Sequence, residues 1–563
     1  MVVIRDIRSE FYGEVVGNEL FKHRNVLYTL VIVKDKGDLK ETYSKNRDFF
    51  QVAVFINCGA NFDVVGNLDP QEECIFYVCD RHHASAEIRG RSDESDEDSE
   101  EQQNRRLQPD DIEKRIEKRK WNRKRQELLM DYESFSYHGV ASSVVMFDLA
   151  WKLSQENNCL LWYAIVGQTS QLITHAINRE HYIDQLDYLQ SHMSRLSHIG
   201  QIHSGTSTSD ENKARIEILF EDELALWLYR HWSLKEAIET SMVTASKFKL
   251  FTEGGQRRMY EFLVQLGLPR RECAQLYSSM NSSLRDSLNA QFLQYGEKYG
   301  VLVVSRSRWC SLALLGINTR LFWVFEMCSV IYSTTYSYVL FVAQVTYKRL
   351  SRTDLFLPSF IVHLGYRTPM SAVDAVFLTI SALECYNSGN PVENFQTALD
   401  TVACWNSPSL DQEIKQTEIH LQSLANQVRN LLDTDDVVAF GPFLYVYIRK
   451  SSLVTHALRN SQSLAILSKY ILMAKSSMRA KLIANQMIII FHSWEFHQFM
   501  ETMTGSKSSY SLLAFVSLFG QAFEAAINRT KARAEFKYFS TNCIELHRED
   551  MLKLFEALSS LLT

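Results

Sequence analysis

The chain has 563 residues, enough for three or four domains or for two large lobes with insertions. Hydrophobic residues at 46% and charged residues at 22% exclude wholesale disorder and a polytopic membrane protein. With 60 Lys and Arg against 66 Asp and Glu, the formal charge of −6 excludes the chain-wide basic character of a dedicated nucleic-acid binder, so any such role must be local.

Only 8 Pro and 21 Gly punctuate the chain, so helices should dominate, and a sandwich or propeller that turns every ten residues is disfavoured. The N-terminus, MVVIRDIRSEF, carries charge where a signal peptide has its apolar stretch. The ten cysteines form no CxxC pair or dense framework. A reducing, intracellular setting is the default expectation.

Residues 1–90 read as an α/β lobe. LYTLVIV (27–33), QVAVFINCG (51–59) and CIFYVCD (74–80) are apolar without alternation, the pattern of strands covered on both faces in a parallel sheet. Residues 91–126 form a charged insert. Its first part, with Asp93, Glu94, Asp96, Glu97, Asp98, Glu100 and Glu101, is too acidic to bury a core and is expected to be a disordered loop. Ser95, with Asp98 three residues on, is a candidate acidophilic phosphosite. From 105 to 125 ten basic residues face four acidic ones, a local charge of +6. Lys118, Arg119, Lys120, Arg123, Lys124 and Arg125 are candidates for a nuclear-localisation signal or phosphate contacts, against the plainer reading of a solvated helix.

Residues 127–300 are expected to complete the first lobe and to add a helical region. Ser142 and Ser143 are candidate N-caps for a helix apolar at Val144–Phe147, Leu149, Ala150, Trp151 and Leu153, nearly all round and so expected to be buried. LLWYAIVG (160–167) follows as a second apolar stretch, and RIEILFE (215–221) alternates like a strand. Leu224, Trp227, Leu228 and His231 are spaced to share one helical face. Trp151, Trp162 and Trp227 lie in apolar segments, so core packing is expected rather than base stacking.

Residues 301–350 break the pattern, since 327–347 is a 21-residue run without charge, long enough to span a bilayer. Residues 351–563 return to α/β as a C-terminal lobe. They hold IVHLGY (361–366), a helix from Ala372 to Glu384, a long polar helix around 410–432, GPFLYVYI (441–448) and a terminal helix striped by Met551, Leu554, Phe555, Leu558, Leu561 and Leu562.

Chemistry-bearing residues are few. Cys74, Cys79, His82 and His83 have the look of a zinc cluster, but on a strand Cys74 and Cys79 point to opposite faces and cannot share one ion. Asp80 and His82 close a strand, where ligands of open α/β sheets collect, yet the position closing the preceding strand is Asn57 and no further carboxylates accompany them. No P-loop, dinucleotide glycine set, nucleophile elbow or HExxH is present.

INCGANFD (56–63), IFYVCDRHH (75–83), MFDLAWKLSQENNCLLWYAIVG (146–167), LYRHWSLKEAI (228–238), FKLFTEGGQRRMYEFLVQLGLP (248–269), GPFLY (441–445) and FGQAFEAAI (519–527) together resemble the cell division control protein 45 family. The resemblance implies an α/β, RecJ/DHH-like two-lobed fold with a helical insertion between the lobes. It implies a nuclear, non-enzymatic subunit of the replicative helicase, a scaffold joined to the MCM hexamer and GINS. Replication-initiation factors, DNA polymerase and single-stranded DNA are its further expected contacts, with no cofactor and no membrane. The family's vestigial DHH motif maps onto Asp80, Arg81 and His82, where Arg81 replaces a His; a guanidinium cannot ligate a divalent cation.

The chain departs from the family in three places. A strand–helix element near residue 17 is missing, a shorter loss follows His83, and 301–350 has no counterpart. Errors of exon joining, a skipped exon upstream and translated intron downstream, account for both kinds of departure. A real insertion and a membrane span at 327–347 remain the other readings of the extra segment. The rival functional readings are a Mn- or Mg-dependent phosphoesterase or nuclease and a membrane-anchored protein.

Overall fold

A computed structural model of the chain describes residues 2–6, 29–33, 36–58, 64–68, 74–80, 139–174, 176–177, 179–203, 217–299, 356–363, 368–383, 391–403, 410–440, 443–448, 461–478, 487–492, 510–515, 520–536 and 543–562. Ser95, the basic stretch from Lys118 to Arg125, and the 327–347 run lie outside them.

The N-terminal sheet is parallel and four-stranded. Its strands are β1 (Val2–Asp6), β2 (Thr29–Val33), β3 (Val52–Ile56) and β4 (Ile75–Cys79), in the order β2-β1-β3-β4. Helices α1 (Lys36–Asn46) and α2 (Val64–Leu68) carry the chain between strands. The run VVIRD, too short and too charged to read as a strand, supplies β1 inside the sheet. β3 is buried from Ala53 to Ile56, as continuous apolarity predicts. β4 departs from that expectation: Ile75, Tyr77 and Val78 are 52%, 58% and 47% exposed, because β4 is the edge strand among the described residues.

Three helices follow: α3 (Ser142–Lys152), α4 (Asn158–Ile173) and α5 (Arg179–His203). The side chain of Asn157 accepts the Leu160 N–H and starts α4, which is then buried on every side from Leu160 to Gln171. The expected caps of α3 are not caps. Ala141 holds the N-cap position with no side-chain bond, while the Ser142 and Ser143 hydroxyls turn inward to Asn57 and to the Ala164 carbonyl. Nor is α3 buried all round, since Val145, Leu149 and Trp151 are exposed. Trp162 and Trp227 pack in the core as expected, whereas the Trp151 ring lies at the surface under the Arg195 guanidinium, 5.3 Å from its centroid.

The middle of the chain contains β5 (Glu217–Leu224), α6 (Leu234–Thr240), α7 (Met242–Phe248), α8 (Glu253–Gln265), α9 (Arg270–Ala274) and α10 (Ser282–Gly296). Leu224, Trp227, Leu228 and His231 do not form a helical face: β5 runs through Leu224, and the chain then turns with Leu228 at a left-handed φ of 52°. In α8 the Thr252 side chain accepts the Gly255 N–H, and Gly255, Met259, Phe262 and Leu263 make the buried stripe.

β6 (Phe356–His363) and β7 (Met370–Ser371) pair antiparallel with each other, and β6 pairs with β5 along its whole length, from Glu217 opposite His363 to Leu224 opposite Phe356. The first strand after residue 350 is thus laddered to the middle of the chain. Helices α11 (Ala372–Leu383), α12 (Pro391–Ala403) and α13 (Leu410–Asp433) follow, and α11 packs on α4, α12 and α13.

The last sheet is mixed and six-stranded, in the order β12-β13-β11-β10-β9-β8. It comprises β8 (Val437–Phe440), β9 (Phe443–Ile448), β10 (Met487–His492), β11 (Tyr510–Phe515), β12 (Ala534–Phe536) and β13 (Cys543–His547). α14 (Ser461–Met478) connects β9 to β10; α15 (Gly520–Thr530) and the terminal α16 (Met551–Leu562) pack on each other. Leu554, Phe555 and Leu558 of α16 are buried as the stripe predicts, and Leu561 is exposed.

Candidate functional site

In a parallel sheet the carboxyl ends of the strands share one edge, where side chains of successive strands can converge. Here Arg5, Ile56 and Cys79 are level in the ladder, so Asp6, Asn57 and Asp80 stand at the carboxyl ends of three neighbouring strands.

Asn57 is the best-defined of the three. It is fully buried and takes a left-handed φ of 58°, a conformation that Asn tolerates better than other non-glycine residues. Its backbone N–H donates to the Cys79 carbonyl at 2.8 Å, and its Oδ1 accepts the Ser142 hydroxyl at 2.6 Å. The Cys79 thiol in turn reaches the Ser142 carbonyl at 3.9 Å. The ends of β3 and β4 and the start of α3 are therefore tied at one point by neutral groups.

Asp80 follows directly and is half-buried; Arg81 and His82, the rest of the vestigial motif, lie outside the described residues. Cys74, like Val31 and Phe76, packs against the small core that includes Leu39, Tyr43 and Phe55, where burial pushes its thiol up, and Cys79 packs against the large central core. The two cysteines thus face different cores, as strand geometry predicts. Among the described residues no three His, Cys, Asp or Glu side chains are grouped to hold a metal ion. A centre that holds two divalent cations about 3.5–4 Å apart needs several carboxylates to ligate them. At Asn57 the corresponding atom is an amide oxygen already engaged by a hydroxyl.

A second polar group escaped sequence reasoning. Glu223, at the end of β5, accepts the Tyr229 hydroxyl at 2.8 Å and the Arg230 guanidinium. Burial pushes its carboxyl up to about 7 even against the Arg230 charge. Asp374, in the first turn of α11, accepts the Leu228 N–H at 2.9 Å. The signal was the Tyr-Arg-His run behind an acidic strand end, hidden by a spacing that mimics a helix.

A family model described as CDC45 matches residues 83–561. The chain belongs to the CDC45 family. It is 28% identical over 626 residues to the mouse cell division control protein 45 homolog and 28% identical over 623 residues to the human one, each comparison covering 100% of both chains. The fission yeast homolog is 30% identical over 193 residues, which cover 33% of this chain and 29% of that one. Among solved structures, the crystal structure of CDC45 from Entamoeba histolytica superposes with a TM-score of 0.62 at 16% identity, covering 100% of this chain and 95% of that one. That likeness gives the fold, the RecJ/DHH-like α/β arrangement expected from the sequence. Family membership makes the chain a DNA replication factor. Among the described residues no helix is long and apolar enough to cross a membrane.

Proposed function

We propose that this chain is a catalytically silent, nuclear scaffold of the replicative helicase, joined to the MCM hexamer and GINS and in contact with single-stranded DNA. Initiation factors and DNA polymerase are its further partners. The observation that carries the silent reading is the Asn57–Ser142 bond, a buried neutral pair standing where a metal-dependent phosphoesterase needs charge. On this reading Asp80, Arg81 and His82 are remnants of a DHH motif, the basic residues from Lys118 to Arg125 address the protein to the nucleus or touch phosphate, and Ser95 is a phosphorylation site. Co-purification from replicating cells is the direct test. The tagged chain should elute with MCM and GINS in one complex, and a chain that elutes alone would overturn the proposal.

A phosphoesterase reading draws on one specific observation, the two aspartates Asp6 and Asp80 at level strand ends on either side of Asn57. A nuclease assay in Mn²⁺ decides between the two: activity that disappears in Asp80→Ala would establish the enzyme, and none is expected.

A further inference from the structure

The turn from α3 to α4, which the strand-end site does not use, stands in solvent. Trp151, Lys152, Leu153, Ser154 and Gln155 are exposed without interruption, whereas α4 is buried from Leu160 to Gln171. Ser154 closes α3. Its N–H donates to the Trp151 carbonyl at 2.9 Å, and the Gln155 N–H donates to the Ala150 carbonyl at 2.9 Å. These two bonds make a Schellman closure, in which the residue just past the helix is left-handed, and Ser154 has a φ of 56°. Glycine is the usual residue there, because a side chain is strained at that φ. The serine thus bears a conformational cost and, being exposed, recovers none of it by packing.

Ser154 is followed directly by Gln155 and then by Glu156. One class of protein kinases selects Ser or Thr before Gln, whose side-chain amide both donates and accepts and so can be read by hydrogen bonds. Access separates this pair from the other Ser-Gln pairs of the chain. Ser170 and Gln171 lie within α4, 5% and 0% exposed, and Ser461 is the first residue of the helix α14. From Gln155 to Asn157, by contrast, the backbone belongs to no helix, and Asn157 is extended with a φ of −147° and a ψ of 170°. A kinase cleft takes its substrate as an extended segment, and this is the pair that offers one at the surface.

We propose that Ser154 is a phosphorylation site for a protein kinase that selects serine before glutamine, and that its phosphate loosens the closure of α3. In the transfer the Ser154 Oγ attacks the γ-phosphorus of ATP. An Oγ–P bond forms as the bond from that phosphorus to the ADP oxygen breaks, ADP leaves with the electron pair, and the hydroxyl proton passes to the catalytic base of the kinase. The new dianion stands at the carboxyl end of α3 and two residues from Glu156, and both the negative end of the helix and that carboxylate repel it. Lys152, one exposed positive charge, offsets about half of a phosphate charge of about −2. The Arg195 guanidinium that lies over Trp151 is already engaged by Glu156 at 2.7 Å and by His192 Nδ1 at 2.9 Å. The site does not depend on the helicase reading.

Phosphate mapping on the full chain tests the site. Incubated with ATP and a purified Ser-Gln-directed kinase, the chain should carry phosphate on Ser154 and none on Ser170, and Gln155→Ala should slow the transfer to Ser154 several-fold. Ser154→Gly removes the acceptor without endangering the fold, since glycine suits the left-handed closure better than serine, and this phosphate should vanish in it. Amide hydrogen exchange reads the consequence: the Ser154 and Gln155 N–H groups should exchange several-fold faster in the phosphorylated chain than in the unmodified one. A chain left unmodified at Ser154 while a Ser-Gln peptide in the same tube is phosphorylated, or transfer at an equal rate in Gln155→Ala, would overturn the site. Exchange at those two amides that is unchanged or slowed by the phosphate would overturn the loosening.

Discussion

A methyl group on Gly255 would lie 1.9 Å from the carbonyl oxygen of Lys249. The two residues meet where α7 reverses into α8. Lys249 takes a left-handed φ of 58°, and the Thr252 hydroxyl donates to the Lys249 carbonyl at 2.9 Å while accepting the Gly255 N–H at 3.1 Å. Gly255 thus lies flat on a carbonyl that both the Thr252 N–H and the Thr252 hydroxyl hold in place. Gly255→Ala should cost at least about 3 kcal/mol, since the obstruction is backbone and cannot swing aside. Gly254 is the internal control: a methyl there meets nothing within 4 Å, and Gly254→Ala should stabilise the helix by up to about 1 kcal/mol. Urea unfolding of the two variants should move in opposite directions; similar midpoints would contradict the packing described.

Two buried titrating groups should give opposite pH trends. Glu223 is raised from 4.5 to about 7 by burial, so the folded chain binds the extra proton and the Glu223 contribution declines as pH rises through that window. His420 is lowered from 6.5 to about 4 by burial, with its Nε2 and the Ser463 hydroxyl 3.0 Å apart. Its unfolded form binds the extra proton, so its contribution is lost as pH falls from about 6.5 towards 4. Each effect should amount to about 1–3 kcal/mol. Because the two oppose, the intact chain hides them, and single variants reveal them. Relative to the unaltered chain, Glu223→Gln should gain stability between pH 5 and about pH 7, and His420→Gln should gain between pH 7 and about pH 5, both read from urea midpoints.

Cap residues offer a cleaner local test. Asn157 Oδ1 accepts the Leu160 N–H at 2.8 Å and begins a helix whose next turns are entirely buried. Asn157→Ala should lose about 1 kcal/mol, and Asn157→Asp should retain most of it, since a carboxylate accepts the same bond and favours the helix N-terminus. By contrast Ala141→Ser, at a position with no cap bond to lose, is the change that would add one to α3.

What the sequence made legible follows how local each signal is. The stripe of the terminal helix and the long polar helix around 410–432 arise from signals set within one or two turns, and the structure places them as α16 and α13. Ser142 and Ser143 look like caps locally, but their hydroxyls are claimed by Asn57, 85 residues away, and by Ala164. Leu224 to His231 are spaced like a helix, but the β5–β6 ladder and the bond from Leu228 to Asp374 impose a strand and a tight turn instead. β1 could not be recognised from five residues, two of them charged; its place between β2 and β3 defines it. Asn57 was visible as the residue closing a strand, while its partner was not.

That partnership gives the last prediction. Asn57→Asp keeps the shape and tolerates the left-handed backbone, so any change comes from charge. The new carboxylate would be fully buried, with the Ser142 hydroxyl as one donor, and burial raises the pKa of a carboxyl so placed. The variant should therefore lose about 1–3 kcal/mol at pH 7 and regain part of it by pH 5, where the carboxyl can stay protonated. Millimolar Mn²⁺ separates the two readings of the strand edge. For a silent scaffold the metal leaves the melting temperature of Asn57→Asp unchanged, whereas a rise specific to this variant would mean that Asp6 and Asp80 still form the sides of a metal site needing only the third carboxylate.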